Sequence, residues 1–465
     1  MKEITGLKEP RRERERRSKR NSRIILAAAI TLILGLPLGF LQLESSKTGK
    51  TWSQVIDRFL SQTAEGERSA NIPRGKKIDF LIPQKIGDPF TKPPMISNLQ
   101  TVDLDKDGLL DVIVCDALNN EISWIRQSPA GIYTEQVLAD SLLAPSHVQA
   151  MDFDKDGDFD LMVSLLGMVF PSNDKLGSII ILENDGTMHF SKHVIVNGIA
   201  RASDVRAGDL NGDGLLDLVA VEFGYDDGET RWMENLGNWH FRNHILQSLS
   251  GGINCELVDI DKDGDLDIIT LISQEWEETY LFTNNGKGGF EAKLLYGSTN
   301  EDFGSSSISL ADLDQDGDID ILYTNGDAFD YIPPRPRPWH GVNWLENKGN
   351  DNFEFHRIAN FGGAYGVCAL DVNHDGHLDL VAVSAFNLWD QPTAQSIMWL
   401  ENDGRMNFTP HDIANNPTHI LCLSLGDFNN DGDIDIVTGG MHVYPPYDRM
   451  ARVTLWTNNW HKVAN

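Results

Sequence analysis

Three observations on the 465-residue chain predict an all-β fold, a seven-bladed β-propeller with four-stranded blades, preceded by an N-terminal transmembrane helix. First, an acidic nonapeptide recurs seven times, starting at Asp103, Asp152, Asp209, Asp259, Asp312, Asp371 and Asp427, so that successive starts lie 49, 57, 50, 53, 59 and 56 residues apart. Self-similarity at a fixed period of this size is the signature of a repeat architecture. Second, each nonapeptide runs straight into a short apolar, often β-branched stretch, such as Leu218-Val219-Ala220-Val221 or Ile268-Ile269-Thr270-Leu271, which reads as a buried strand. Third, most copies continue, after a variable insert, into an apolar strand that ends on Asn and a Gly turn. Examples are Ile181 to Gly186, Trp232 to Gly237, Leu281 to Gly286, Trp344 to Gly349 and Trp399 to Gly404. Asn or Asp with Gly between strands is a hairpin signal.

Taken in order, the chain opens on Lys2–Arg23, with ten Lys or Arg against four Glu. Ile24–Leu43 follows, twenty residues without a charge, long enough to span a bilayer with the basic flank kept in the cytoplasm. A cleaved signal segment is the alternative. The lack of a small-x-small site over Leu36–Ser46 and the length of the basic flank favour an uncleaved anchor. Residues 1–23 are therefore read as a basic cytoplasmic segment, 24–43 as the anchor or signal segment, 44–77 as a linker and 78–465 as the propeller. On either reading the propeller lies outside the cytoplasm, periplasmic or extracellular, and it is secreted if the segment is cleaved. In the linker, Trp52, Val55, Ile56, Phe59 and Leu60 share one face of a short amphipathic helix. Ile78–Ile86 has the character of an outer strand. Either it completes the last unit as a fourth strand, or Trp460–Val463 does so and Ile78–Ile86 covers it.

The nonapeptide has the composition of a cation loop. Positions 1, 3, 5 and 9 are Asp103, Asp105, Asp107 and Asp111 in the first copy and Asp152, Asp154, Asp156 and Asp160 in the second. The third holds Asp209, Asn211, Asp213 and Asp217, the fourth Asp259, Asp261, Asp263 and Asp267, and the fifth Asp312, Asp314, Asp316 and Asp320. The sixth holds Asp371, Asn373, Asp375 and Asp379, the seventh Asp427, Asn429, Asp431 and Asp435. Position 6 is Gly in every copy, from Gly108 to Gly432, as a backbone reversal around an ion requires. Carboxylates at this density repel unless a hard cation sits among them, and oxygen donors at alternate positions suit Ca²⁺, up to seven ions in all. An EF-hand is excluded, because position 12 carries Val114, Val163, Ala220, Thr270, Tyr323, Ala382 and Thr438 rather than Glu, and a strand rather than a helix follows. The bland alternative is a set of Asp/Gly turns without metal.

The acidic loop between two strands, the Asn-Gly hairpin and the period together resemble FG-GAP/VCBS repeats, the blade type of the integrin α-subunit propeller and of many secreted bacterial proteins. The resemblance covers residues 78–465 and implies a seven-bladed, calcium-binding propeller. Its relatives include adhesins and lectins, and also carbohydrate lyases and dehydratases. The expected function is thus a membrane-anchored module that binds a glycan or a protein, with a polysaccharide lyase or sugar dehydratase as the alternative.

In this architecture the acidic loops share one face, and the long inserts share the other. Loops on a rigid scaffold are where binding usually resides, which singles out Tyr225, Trp276, His340 and Trp389. Counting back from the first Asp of each loop, positions −3 and −5 are often polar: His147 with Gln149, Asp204 with Arg206, Asn254 with Glu256. Period two places them on one face of each inner strand, lining a channel mouth or bonding neighbouring blades, as Arg206 with Glu256. An enzyme would need a base such as His147 or His340 working with Arg206 or Glu256. The histidines of the outer strands (His193, His244, His356, His411) recur once per unit and read as rim residues.

The net charge is −30, and with +6 on Lys2–Arg23 the remainder carries −36. Such acidity argues against a nucleic-acid partner, whose binding needs a basic face. The four cysteines (Cys115, Cys255, Cys368, Cys422) sit singly in strand-like stretches and read as buried thiols, although Cys368 and Cys422 fall on adjacent units.

Overall fold

The computed structural model describes Gly75 and residues 77–463, apart from 275 and 332. The basic segment, the anchor and the linker helix expected over residues 1–74 lie outside the described residues. Among the described residues, no helix is long and apolar enough to cross a membrane.

Seven antiparallel sheets of four strands each make up the fold. The third shows how a repeat becomes a blade. Strand β10 (Ala202–Gly208) leads through the acidic loop into β11 (Asp217–Glu222), then β12 (Thr230–Asn235) and β13 (Phe241–Gln247), paired in that order. All six residues of β11 are buried, which is why the second strand of each repeat reads as a continuous apolar run: both of its faces are covered. The outer β13 is half exposed. The β12–β13 hairpin turns on Gly237 at φ +79°, whose N–H is held at 2.9 Å by Asn235 Oδ1. Only glycine adopts that backbone region without cost.

The inner strands are β2 (Ile96–Val102), β6 (Pro145–Met151), β10, β14 (Gly252–Val258), β18 (Ser305–Ala311), β22 (Ala364–Leu370) and β26 (Ile420–Gly426). Each carries a β-bulge at the residue six before its first loop Asp, such as the one between Ala202 and Asp204. A bulge turns one side chain out of the alternation. At four of these positions the residue is serine, and Ser97, Ser146, Ser203 and Ser306 donate to the carbonyls of Pro145, Ala202, Gly252 and Ala364 in the next blade.

Apolar packing follows the same ring. Each junction between blades has its own buried cluster. Leu218 and Ala220 meet Met162 and Ile179 of the preceding blade, and Val219 and Val221 meet Cys255 and Ile268 of the following one. All four cysteines are free thiols, Cys368 and Cys422 included.

The ring closes through both ends of the described chain. Strand β1 (Leu81–Ile86) pairs with β28 (Val453–Asn458), from Leu81 opposite Asn458 to Ile86 opposite Val453. Of the two closures expected from the sequence, the N-terminal strand is therefore the one adopted. Trp460–Val463 is a short helix, α1, instead of a strand, and Trp460 packs edge-on to the buried Phe80 at 5.0 Å.

Candidate functional site

The acidic loops share one construction. In six of the seven, Oδ2 of the first Asp accepts the N–H of the position-6 glycine, as Asp259 does from Gly264 at 3.1 Å. At position 5 of every loop, and at position 3 of all but the first, Oδ1 is turned back onto the backbone two residues ahead. Asp261 accepts from Asp263 at 3.1 Å and Asp263 from Asp265 at 3.0 Å. That leaves Oδ2 of both for another partner. Carboxylate oxygens of Asp152, Asp154 and Asp156 lie within 4.8 Å of one another, as do those of Asp259, Asp261 and Asp263. Among the described residues, Oδ1 of Asp105, of Asp152, of Asp259 and of Asp312 is buried with no hydrogen-bond partner. Burial, then the charges of Asp156, Glu183 and Asp152, push the Asp154 carboxyl above its usual range. Orphaned, converging, mutually repelling oxygens are the donor set of a hard divalent ion, and these loops fit calcium.

The aspartate at position 9 has a second task. It is almost fully buried in every blade, and both of its oxygens accept backbone N–H groups. Asp267 takes Ile260 at 3.1 Å and Asn284 at 2.7 Å, and Asp111, Asp160, Asp217, Asp320, Asp379 and Asp435 repeat the pair. It clasps the loop to the end of the third strand. Burial pushes each of these carboxyls up to about 6 against the hydrogen bonds that lower it. Replacing Asp267 by Ala strands two buried donors at about 1–3 kcal/mol each. Urea denaturation of Asp267→Ala is expected to show a loss of about 2–6 kcal/mol, with Asp267→Asn losing less; equal stability of Asp267→Ala and wild type would contradict the clasp.

Position 4 adopts the left-handed conformation in every loop (φ 55 to 72°), and in five of them its side chain reaches the next loop. Lys106 and Lys155 donate to the carbonyls of Gly157 and Gly214. Lys262 reaches Asp318 at 2.6 Å, Gln315 the carbonyl of Gly376 at 3.0 Å, and His374 Asp433 at 2.5 Å. Position 4 of the third and seventh loops is Gly212 and Asn430, and among the described residues neither makes such a bridge.

On the axis, polar side chains of the inner strands mostly bond blade to blade. Oε1 of Gln100 and Gln149 accepts Ala150 N–H at 2.7 Å and Ala207 N–H at 2.9 Å in the following blade. Asp204, fully buried, accepts the N–H of Cys255 at 3.0 Å and the amide of Asn254 at 3.2 Å. Arg206 is the hub. It donates to Glu256 at 2.8 Å, to the carbonyl of Cys255 at 2.9 Å and to His147 Nε2 at 2.8 Å. With Nε2 accepting, the proton of a neutral His147 sits on Nδ1, which lies 3.1 Å from Asp204 Oδ1. Burial lowers the His147 pKa to about 4, with Asp204 opposing and Arg206 adding to the shift. The imidazole is neutral and its acceptor nitrogen is occupied.

Above this layer a cavity of about 430 Å³ opens towards the inserts, within the size range of ligand pockets. Its floor holds His147, Arg206, Asn254 and Glu256, and Tyr225 stands in its wall. Trp276, His340 and Trp389 are not part of it, because the inserts fold back onto the blades. Trp276 donates to Ser250 at 3.2 Å. His340 is buried beneath Gly363, whose N–H it accepts at 3.3 Å. Trp389 is buried against His419 at 3.2 Å. The outer-strand histidines lie on the rim, each bonded to a third-strand glutamate, as His244 to Glu234 at 2.8 Å.

The structure adds wall residues that alternation did not reveal: Arg201, Asp327, Phe329, Asp330 and Tyr365. Arg201 lies in the short connection between blades 2 and 3. Its Nε and Nη2 are fixed by the carbonyls of Met168 (3.2 Å) and Val169 (2.8 Å), it faces the Phe223 ring at 5.3 Å, and its Nη1 is buried without a partner. Among the described residues Asp327 forms no ion pair; burial first, then the charge of Asp330, raises its carboxyl to about 7. Tyr225 donates to Asp330 at 3.1 Å, which ties the third insert to the fifth across the mouth. Tyr365 sits on the bulge of β22, beside Phe329. The bulge is the reason that counting by twos passes over it.

Residues 103–163 and 168–220 match the family model of the FG-GAP-like repeat, so the chain carries FG-GAP-like repeats in a seven-bladed β-propeller. No curated protein matches the chain. Among solved structures it is similar to the crystal structure of BBS1N in complex with ARL6DN soaked with mercury, at 12 % identity and a TM-score of 0.46 over 83 % of this chain and 98 % of that one. The same complex soaked with lead gives 10 % identity and a TM-score of 0.48 over 83 % and 99 %.

Proposed function

We propose that this protein is a calcium-loaded glycan-binding module, held outside the cytoplasm by a membrane anchor at residues 24–43, with its ligand seated in the insert-side cavity. The observation that supports it is the presence of Arg201 and Asp327, two charged wall side chains that make no salt bridge among the described residues, beside the rings of Phe223, Phe329 and Tyr365. A sugar presents a C–H face to aromatic rings and a hydroxyl edge to planar hydrogen-bonding groups, and a cavity lined by both rings and converging polar groups recognises such a molecule. Calcium in the acidic loops is structural on this reading: positions 1, 3 and 5 supply carboxylate or amide oxygen, and the ion cancels their repulsion. Neutral His147, enclosed by Arg206 and Asp204, holds blades together and does not face a substrate as a free base.

A glycan array probed with the purified protein tests the reading. Binding to a defined set of glycans is expected, weakened at least about tenfold (about 1.4 kcal/mol) in Arg201→Gln and in Asp327→Asn, with melting temperatures near that of wild type. Absence of any retained glycan, or wild-type affinity in both variants, would overturn it. An unsaturated product released from a bound polyuronate would replace it with the lyase reading.

A further inference from the structure

The loop of the first blade departs from the others at one position of the third strand. The residue that precedes the hairpin amide is Glu183, Glu234, Glu346 and Glu401 in blades 2, 3, 5 and 6, and Thr283 and Thr457 in blades 4 and 7. In blade 1 it is Arg126, on β4 (Glu121–Gln127). The four glutamates are held by the histidine of their own outer strand. Blade 1 has Gln136 at that histidine's place, opposite Trp124. Arg126 instead turns into its acidic loop. Its Nη2 lies 2.5 Å from Asp105 Oδ2 and 3.2 Å from Asp107 Oδ2, with the guanidinium 5.5 Å from the Trp124 ring. These are the position-3 and position-5 oxygens that the second, fourth and fifth loops leave without a hydrogen bond or ion pair among the described residues.

We infer that Arg126 is the built-in cation of the first loop, so that this loop binds no calcium and the protein holds at most six ions. The inference rests on the calcium reading of the remaining loops. A dication shared by Asp105 Oδ2 and Asp107 Oδ2 would stand in contact with a permanently charged guanidinium. The guanidinium satisfies the same oxygens without an ion, and independently of the ambient calcium concentration.

Calcium content per chain, measured by native mass spectrometry and by metal analysis after equilibrium dialysis of the full chain, tests this. Wild type is expected to hold no more than six ions. Arg126→Thr, the residue type found in blades 4 and 7, is expected to hold one more than wild type. Glu183→Arg, which places the same cation beside the second loop, is expected to hold one fewer and serves if Arg126→Thr does not fold. Seven ions in the wild type, or unchanged content in both variants, would overturn the inference and leave the calcium reading standing. No calcium in any of the three proteins would overturn both.

Discussion

Chelation is expected to lower the melting temperature of this protein by at least about 10 °C, with loss of a single cooperative transition. The loops hold 29 Asp in seven nonapeptides, and among the described residues only the first has an arginine among its carboxylates. Without ions, the oxygens converging in loops such as Asp259–Asp267 repel one another at one end of their blades. A site held at a hundred times its dissociation constant adds about 2.7 kcal/mol to stability, so several sites together rival the about 5–15 kcal/mol by which a domain is stable at all. Differential scanning calorimetry in calcium and in excess chelator reads the effect, and calcium added back should restore it. Superimposable curves would remove the ions from the account of the fold.

The second large effect is expected from the strand that closes the ring. A chain beginning at Asp88 lacks Phe80 and β1. Phe80, Leu81 and Ile86 are at most 5 % exposed, and burying each is worth about 1.5–3 kcal/mol. The truncation also leaves β28 as an open edge with unpaired backbone groups, a template for aggregation. Such a protein is expected to be insoluble or to elute as aggregate in size-exclusion chromatography. A chain beginning at Gly75 retains β1 and should elute as a folded species in calcium. A folded, soluble chain lacking β1 would show that blade 7 does not need its fourth strand.

Most of the fold was legible because the repeats restate it seven times. The Asp-x-Asp-x-Asp-Gly pattern, the apolar second strand and the Asn-Gly hairpin are each dictated by backbone geometry that has few solutions. Blade count and strand order followed from them. The cavity was less legible. The floor residues His147, Arg206, Asn254 and Glu256 were found by counting in twos, but Tyr365 was not, since a bulge shifts the count at that residue. Arg201 stands in a connection that no periodicity covers. Trp276, His340 and Trp389 were read as loop residues facing a ligand, yet apolar and imidazole surface in a long insert is buried where the insert folds onto its neighbour. Arg126 was invisible as a counter-ion because its partners lie about 20 residues earlier in the chain, across a strand pairing.

The two loops without a bridging side chain have a mechanical consequence. Three of the other seams of the disc are latched on the loop face by Lys106, Lys155 and Lys262, and the exposed Lys262–Asp318 ion pair is a contact of the kind that added salt weakens. The seam between blades 3 and 4 has Arg206 on Glu256 instead. The seam between blades 7 and 1 has Arg452, which is 8 % exposed and holds Glu135 at 2.6 Å and Asp116 at 3.3 Å. Arg452 is shielded from the electrolyte, whereas Arg206 and Glu256 lie on the cavity floor with 19 % and 23 % of their side chains exposed. A brine that slackens the outer ion pair leaves Arg452 fastened, at the very seam where the wheel is joined end to end.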